Sequence, residues 1–244
     1  MKRTWGVLVT STLLTAVVIS GLHFTNQTYA ESGSKIADKA ADQLSSSTVD
    51  YIKTVDESGR VEEHWRDTKT LQERHDIYDK DGTLINRIIV TDEGKTVISI
   101  SNEDGKLKAD KWTVPSEVAE ENKKLLNKSL IKEFKDELNN KEWKKKGEEK
   151  LQGKEVQKLE AVYKIESESK DKHKEVVFVD QETNYPKKRE IYAPDKNGKV
   201  KLQRTEFFEF YEGDTSDLFD VDDKIKIKKV DSDIKEKEFK KAKG

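Results

Sequence analysis

The chain has 244 residues and a formal net charge of −2, from 47 basic and 49 acidic side chains. Charged residues make up 39% of it and hydrophobic residues 33%, which favours a highly charged surface over a thin core. Near neutrality, without a basic stripe interleaved with aromatic residues, argues against nucleic acid as a partner. Cysteine is absent, which excludes a disulfide framework and a lipid-bearing cysteine behind an export signal.

The N-terminus is typical of a secretory signal peptide. Lys2 and Arg3 precede an uncharged apolar run over residues 5–22, and a stretch ending in Ala30 follows. This order predicts export and cleavage after Ala30. The alternative is an uncleaved membrane anchor, because the run approaches the length of a transmembrane helix. In both cases the rest of the chain lies outside the cytoplasmic membrane. Removal of residues 1–30 leaves 45 basic and 49 acidic residues.

The first half of the mature chain predicts a short helix and then a meander of strands. Residues 34–44 carry apolar side chains at helical spacing. Between Val49 and Trp112, β-branched runs alternate with turns, which predicts four or five antiparallel strands. Each turn has a glycine behind acidic or polar residues, as tight hairpins require. These glycines are Gly59, Gly82, Gly94 and Gly105.

A helix-start signal follows at Pro115, Ser116 and Glu117. Apolar residues then recur mostly four apart, which predicts one long helix that ends at Asn139-Asn140 and lays a narrow stripe on a sheet. This helix is either a lid over a binding site or ordinary core. Its stripe consists of Val118, Leu126, Leu130, Phe134 and Leu138.

The segment Leu151–Val221 predicts a second antiparallel meander, of five or six strands. Its β-forming runs are broken by Gly, Pro, Asn or Asp. In the aromatic strand, Phe208 and Phe210 point to one face while Phe207 and Tyr211 point to the other. A strand that is apolar on both faces must be covered on both. We expect core on one face and a helix or a ligand on the other.

The order of parts in this segment is distinctive. A turn at Gly153 leads into a strand with Leu159, Ala161, Tyr163 and Ile165 on one face. Further parts are a hairpin with Asp180, Thr183 and Pro186, a turn at Asn197-Gly198 before the aromatic strand, and a closing Leu218-Phe219.

That order resembles the C-terminal half of the LolA-like lipoprotein-carrier superfamily, which includes related anti-sigma-factor regulators. The resemblance implies an α+β fold, an open antiparallel β half-barrel with helices packed on its concave face. We predict a signal peptide over 1–30, one such domain over 31–230 and a lysine-rich tail over 231–244.

The resemblance also implies an extracytoplasmic binding protein for a hydrophobic ligand, an acyl chain or a lipoprotein, in a carrier or chaperone role. The stripe residues of the predicted helix would form the lid. The residues expected to line the apolar cavity are Ile98, Ile100, Leu159, Tyr163, Phe178, Ile191, Phe208 and Phe210.

Two other functions stay open. Few large apolar residues are available to line a roomy cavity, so the same scaffold is alternatively an envelope-stress or signalling regulator that docks a membrane protein. The tail Lys224–Gly244 has nine lysines against four acids, which suits an anionic surface polymer or membrane, or simply a solvated end.

Enzyme signatures are missing from the sequence, including nucleophile elbows, zinc-protease helices and phosphate-binding glycine loops. We therefore predict neither an enzyme nor a cofactor. His64 and His75 can face each other across a hairpin with Glu63 and Glu73 nearby, which makes a divalent-metal site geometrically possible. Two surface histidines on a glutamate-rich hairpin explain the pattern as well, and we predict no metal.

Overall fold

A computed structural model describes residues 49–138, 142–164, 172–195, 197–211, 215 and 217–232. These residues form one twelve-stranded sheet and two α-helices. The helices are α1 (Ser116–Leu126) and α2 (Leu130–Leu138). The strands are β1 (Val49–Asp56), β2 (Val61–Asp67), β3 (Gln72–Tyr78), β4 (Leu84–Thr91), β5 (Thr96–Glu103), β6 (Lys106–Thr113), β7 (Lys144–Leu151), β8 (Lys154–Lys164), β9 (Lys172–Asp180), β10 (Pro186–Pro194), β11 (Val200–Phe210) and β12 (Ile227–Lys229).

The sheet is open, and its order is β12-β6-β5-β4-β3-β2-β1-β11-β10-β9-β8-β7. Two meanders meet where β1 pairs with β11, and the pairings in the described ranges are antiparallel except β12 with β6, which is parallel. The antiparallel open sheet with helices is therefore confirmed. Six strands precede the helices where four or five were predicted, and six follow them.

The predicted glycine turns are confirmed. Gly59, Gly82, Gly94 and Gly105 all have positive φ angles, a conformation that side chains disfavour. Gly94 differs from the other three because it ends a 3₁₀ turn over Asp92–Gly94 and lies against α1. The side-chain N–H of Asn122 on α1 donates to the Gly94 carbonyl at 2.9 Å. This glycine therefore positions a helix as well as a turn.

Both helices pack on one face of the sheet, which we call the helix face. Side chains of a strand alternate between the two faces of the sheet. The contacts of one residue therefore show to which face each other residue of that strand points. Beneath α1 lie Val90, Val97 and Trp112, in contact with Ala119 and Leu126. The core beneath α2 is a separate cluster.

The β1–β6 part of the opposite face is covered by a C-terminal segment over residues 217–225, which we call the strap. Phe219 of the strap is 5% exposed. A guanidinium N–H of Arg74 holds the strap by donating to the carbonyl of Leu218 at 2.9 Å. Phe219 packs in a cluster with Val49, Trp65, Ile89, Ile98, Ile100 and Ala109. The chain then continues into β12, so part of the lysine-rich tail Lys224–Gly244 is a strand at the sheet edge.

The single helix predicted between residues 118 and 138 is two helices in the structure. The N–H of Asn127 ends α1 by donating to the Lys123 carbonyl at 3.1 Å. Ser129 then starts α2, because its hydroxyl accepts the N–H of Lys132 at 3.2 Å. Serine at this position competes with the continuing helix and caps a new one. The break lets the two helices cover different strands.

Some predictions fall on residues that the structure does not describe. They concern the signal peptide and its cleavage after Ala30, the helix over 34–44 and the end of the tail beyond residue 232. None of the helices in the described ranges is long and apolar enough to cross a membrane.

Candidate functional site

The candidate site is the apolar part of the helix face that α2 covers. We call it the α2 patch, and it consists of Ile52, Leu159, Val177, Val179 and Phe208, all buried. Helical spacing places three apolar side chains of α2 on one side of the helix. These side chains are Ile131, Phe134 and Leu138, and they pack on the patch.

The central contact is a pair of stacked aromatic rings. The rings of Phe134 and Phe208 have centroids 4.7 Å apart and an interplanar angle of 5°. Phe210 lies beside them with its ring edge against Tyr185, at 5.2 Å between centroids. A helix therefore covers the face of β11 that carries Phe208 and Phe210. The sequence left open whether a helix or a ligand covers this face. In this conformation a helix covers it.

The junction of the two helices is held by two charged side chains of the sheet. Asp50 on β1 and Arg66 on β2 are direct partners in the strand register. The backbone N–H of Ile131 in the first turn of α2 donates to Asp50 Oδ2 at 3.5 Å. Arg66 donates from Nη1 to the carbonyls of Leu125 and Lys128, at 3.2 and 3.3 Å. We call Asp50 and Arg66 the helix clasp.

The environment of the clasp shifts two pKa values in opposite directions. Burial raises the pKa of Asp50. Hydrogen bonds from Ser129 and from the backbone of α2 lower this pKa, but they offset the effect of burial only in part. Glu73 accepts from Arg66 Nε at 2.6 Å, and its other carboxylate oxygen lies 3.0 Å from His64 Nε2. Burial opposes its charge, but Arg66 and His64 together lower the pKa of Glu73 to about 2. Glu73 is therefore ionised and holds Arg66 in place.

A second buried ionic group lies beside the α2 patch. Arg189 on β10 donates to Glu175 at 2.8 Å and lies 3.5 Å from a carboxylate oxygen of Glu206. Its guanidinium carbon lies 4.7 Å from the centroid of the Phe134 ring, a cation–π distance. Burial alone would lower the pKa of Arg189, but Glu206 and Glu175 hold it above its usual value. The surface under α2 is therefore apolar with a fixed, paired charge at its border.

A cavity of about 170 Å³ opens between the C-terminal part of α2 and the strands β8 and β9. Its apolar wall belongs to the α2 patch and its rim is polar. The lining residues are Lys135, Leu138, Gln157, Leu159, Val179, Asp180, Gln181 and Asn184.

The structure brings together three of the eight residues predicted to line a cavity, and two more share their face of the sheet. Leu159 and Phe208 belong to the α2 patch and Phe210 packs against it. The strand register places Tyr163 and Ile191 on the same face, farther along β8 and β10.

The other three predicted residues lie on the opposite face. Ile98 and Ile100 pack with Phe219 under the strap. Phe178 packs with Val156 and Val176. Because neighbouring residues of a strand face opposite sides, one cavity cannot be lined by all eight. The pattern that misled the prediction is the double apolar face of β5 and β9, where Val97 and Val177 point to the helices.

The five predicted lid residues are divided between two helices. Val118 and Leu126 belong to α1 and its cluster. Leu130, Phe134 and Leu138 belong to α2 and pack on the α2 patch. The sequence predicted one helix as the lid, whereas the structure has two helices that meet at the helix clasp.

The histidine hairpin forms as predicted, with His64 and His75 opposite each other and ring centroids 5.5 Å apart. The Nε2 atoms turn to different carboxylates, however, toward Glu73 at 3.0 Å and toward Glu62 at 3.5 Å. Arg66 occupies the other oxygen of Glu73. Among the described residues, no group of three or more such side chains is arranged to hold a metal ion.

Sequence reasoning missed the helix clasp and the Arg189 group. Their only signal in the sequence was alternation, since Asp50 shares a face with Ile52 and Glu206 shares one with Phe208. A charged residue that shares a strand face with apolar residues was therefore the available sign of a buried charge.

Comparison with known proteins gives matches at the level of structure only, since no family model and no curated protein matches the sequence. An uncharacterized conserved protein from Thermus thermophilus has 12% identity and a TM-score of 0.39, covering 75% of this chain and 91% of its own. The lipoprotein LppX of Mycobacterium tuberculosis has 10% identity and a TM-score of 0.39, covering 67% and 86%. A LolA superfamily protein from Nitrosomonas europaea has 11% identity and a TM-score of 0.23, covering 71% and 88%.

The similar structures include the LolA superfamily. Every TM-score quoted lies below 0.5, so a function for this chain must come from its own residues.

Proposed function

We propose that this chain binds an acyl chain, free or attached to a lipoprotein, outside the cytoplasmic membrane. The acyl chain would lie on the α2 patch after α2 moves away, with the sheet curved as a half-barrel and the helices as its lid. The observation that carries the proposal is how α2 is attached. Ile131, Phe134 and Leu138 hold it by packing on the patch, and the N–H of Ile131 reaches the sheet through the side chain of Asp50.

The free energy gained by burying the apolar side chains of α2 is similar in size to the free energy gained by burying an alkyl chain in their place. Burying one large apolar side chain is worth about 1.5–3 kcal/mol, so the three buried anchors of α2 contribute about 5–9 kcal/mol, and the partly buried Leu130 adds a smaller amount. Each buried methylene of a ligand contributes about 0.8 kcal/mol. An alkyl chain of roughly seven to eleven methylenes therefore offsets the lost helix contacts. Longer chains bind with a net gain, and shorter chains leave α2 in place.

The size of the existing cavity also favours displacement of α2. Pockets that enclose a small ligand have about 300–1,000 Å³, whereas the cavity beside α2 has about 170 Å³. A long acyl chain does not fit this space unless α2 moves. The cavity shares Leu159 and Val179 with the α2 patch, so it is a starting point for entry.

The stacked ring pair provides a test with opposite expected results. Phe134→Ala removes a helix anchor and leaves the α2 patch intact, so a fluorescent acyl probe should bind more tightly. Phe208→Ala removes part of the patch, so the probe should bind more weakly. Each loss of a buried phenylalanine costs about 3–5 kcal/mol of stability, which makes the two variants matched in stability and opposed in binding.

If both variants change probe binding in the same direction, the ring pair is ordinary core and the proposal fails. Thermal unfolding of each variant shows whether it is folded at the assay temperature. Native mass spectrometry of the wild-type protein, purified without detergent, gives an independent result because co-purified lipid adds a defined mass.

A second candidate function is docking onto a membrane protein, as a regulator does. It is favoured by an exposed apolar row on the face opposite the helices. Val162, Tyr192 and Leu202 align across β8, β10 and β11, and Lys174 of β9 lies between Val162 and Tyr192 with Nζ 3.9 Å from the centroid of the Tyr192 ring. Val162 is 55% and Leu202 42% exposed. Val200, 44% exposed, extends the row along β11.

The docking function and the acyl-chain function are separable by where a variant acts. Val162→Asp with Leu202→Asp should abolish capture of a membrane protein and leave acyl-probe binding unchanged. Loss of probe binding in this double variant would contradict the assignment of the row to docking.

A further inference from the structure

The helix face carries a polar stretch beside the α2 patch, which we call the histidine wall. It consists of Glu62, His64, His75 and Asn86. Ile52 of the patch is the register partner of His64, and His64 is the partner of His75. Asn86 on β4 pairs with Ile77, two residues along β3 from His75. Neighbouring strands are about 5 Å apart, so the wall begins one strand from the patch and spans about 10 Å.

The amide of Asn86 is a built acceptor. The residue is only 9% exposed, and its Oδ1 is shielded from solvent without a hydrogen-bond partner among the described residues, so a ligand reaches it only after the side chain turns. A buried polar atom without a partner costs about 1–3 kcal/mol. By alternation with Ile88, which packs in the α1 cluster, Asn86 points to the helix face. A donor supplied by a ligand on this face would satisfy it.

The two histidines add acceptors to the same wall. Their Nε2 atoms face Glu73 and Glu62, so a neutral imidazole places its N–H there and leaves Nδ1 as an acceptor. Burial lowers the pKa of His64, which keeps it neutral although Glu73 opposes the shift. The side chains of His64 and His75 are 21% and 34% exposed, so a ligand can reach them.

The buried charges of the helix face disfavour an anion in this place. The buried charged side chains there are four carboxylates against two guanidinium groups, a formal balance of −2. Both guanidinium groups are already paired with carboxylates, and the one donor atom of Arg66 without a hydrogen-bond partner among the described residues, Nη2, is shielded from solvent. Each of these four described carboxylates already has a donor or a cation within 3.5 Å, so an ammonium group would lose its hydration without gaining an unpaired carboxylate. The residues are Asp50, Glu73, Glu175 and Glu206 with Arg66 and Arg189.

We infer that the histidine wall binds the polar end of the acylated ligand, and that this end is uncharged and bears hydroxyl groups, as in an acylglycerol. The inference rests on the proposed function, because it places the acyl chain on the adjacent α2 patch. Asn86 Oδ1 and the histidine Nδ1 atoms accept from the hydroxyls, while the carboxylates reject a free fatty acid.

Competition against a fluorescent acyl probe tests the inference at near neutral pH. Monopalmitoylglycerol, palmitate and hexadecylamine compare a hydroxyl-bearing, an anionic and a cationic end. We expect monopalmitoylglycerol to compete at least about tenfold more tightly than either of the others, a difference of one well-placed polar interaction. Equal or tighter competition by palmitate or hexadecylamine overturns the inference and leaves acyl-chain binding standing.

Asn86→Leu tests the acceptor itself. The side chains are similar in size, and the change removes a buried polar atom without a partner, so the variant should fold with undiminished stability. It should bind the probe as the wild type does and lose most of the preference for monopalmitoylglycerol. A preference that survives in Asn86→Leu, and also in His75→Phe, contradicts the role of the wall. If the wild-type protein binds no probe, the proposed function fails, and this inference with it.

Discussion

Asp50 and Arg66 face each other across β1 and β2, and each is bound to a different helix. The carboxylate of Asp50 meets the N-terminus of α2, and the guanidinium of Arg66 meets the C-terminus of α1. Both charges have the sign that stabilises the helix end they contact. One pair of neighbouring side chains therefore fixes the junction of the two helices over the sheet.

Replacement of Asp50 should reveal what its burial costs. Since burial raises its pKa above the ordinary 3.8, the native state binds its proton more readily than the unfolded state does. Stability therefore falls as pH rises from about 3.8 through the folded pKa. Asp50→Asn keeps a helix cap without the charge. We expect a free energy of unfolding at least equal to that of the wild type at neutral pH.

Urea unfolding at neutral pH and near pH 4 measures this difference. Any gain of Asp50→Asn over the wild type should shrink in acid, where a larger fraction of Asp50 is protonated. A variant that is less stable at neutral pH and regains stability in acid would show that the charge of Asp50 is favourable to the fold.

Glu73 should have the opposite pH dependence. Its pKa falls from 4.5 to about 2 on folding, so its stabilising effect is present above 4.5 and is lost as pH falls through about 2. Glu73→Gln leaves Arg66 buried without its carboxylate, and we expect a loss of about 3–5 kcal/mol at neutral pH. Urea unfolding between pH 4.5 and 2 should show the gap to the wild type closing.

Glu93→Gln is the matched control for Glu73→Gln, because Glu93 pairs with Lys123 at 2.6 Å on the surface. Exposed pairs contribute little, so this variant should unfold almost as the wild type does. Equal losses in the two variants would contradict the role assigned to burial.

Gly94 should tolerate alanine far less than Gly82 does. Both have positive φ, at 89° and 80°, so each substitution carries the strain of a left-handed residue, about 1 kcal/mol. At Gly94 a Cβ would lie 2.6 Å from Cβ of Asn122, whereas at Gly82 it would meet no atom within 4 Å. We expect Gly94→Ala to lose clearly more stability, as measured by thermal unfolding, because α1 must shift. Equal losses would mean that the contact with α1 is soft.

Acyl-chain length should show a threshold in binding. The three α2 anchors are worth about 5–9 kcal/mol, and each methylene returns about 0.8 kcal/mol. Alkyl ligands below roughly seven methylenes should compete weakly with a fluorescent probe, and affinity should rise steeply above roughly eleven. A competition series at constant head group measures this. A shallow dependence without a threshold would indicate that ligands bind outside the α2 patch.

Local patterns in the sequence predicted much of the fold. Alternating β-formers and acidic-glycine turns predicted antiparallel meanders, and the turn glycines have the predicted positive φ. The stripe of Leu130, Phe134 and Leu138 predicted a helix face that packs on a sheet. These features succeed because they depend on neighbours a few residues apart.

The break at Asn127–Ser129 was missed for a physical reason. The apolar spacing continues through it, and a single serine weakens a helix only slightly unless its cap is used. Contacts from distant strands decide the matter, since Asp50 and Arg66 bind the two helix ends that the break creates.

Tertiary contacts also decided which face of each doubly apolar strand lies against the helices. Ile98 and Phe178 could not be separated from Val97 and Val177 by sequence, because both sets are apolar and adjacent. The strap and its Phe219 cover one side and α2 covers the other, and both come from far along the chain.

The sequence by itself therefore determined the strands, their turns and the apolar stripe of the helical segment, since these follow from the periodicity of side chains along one segment. The tertiary structure decided which apolar face the helices cover and which charges are buried beneath them. The physical reason is that burial and ion pairing depend on segments that meet only in the folded sheet.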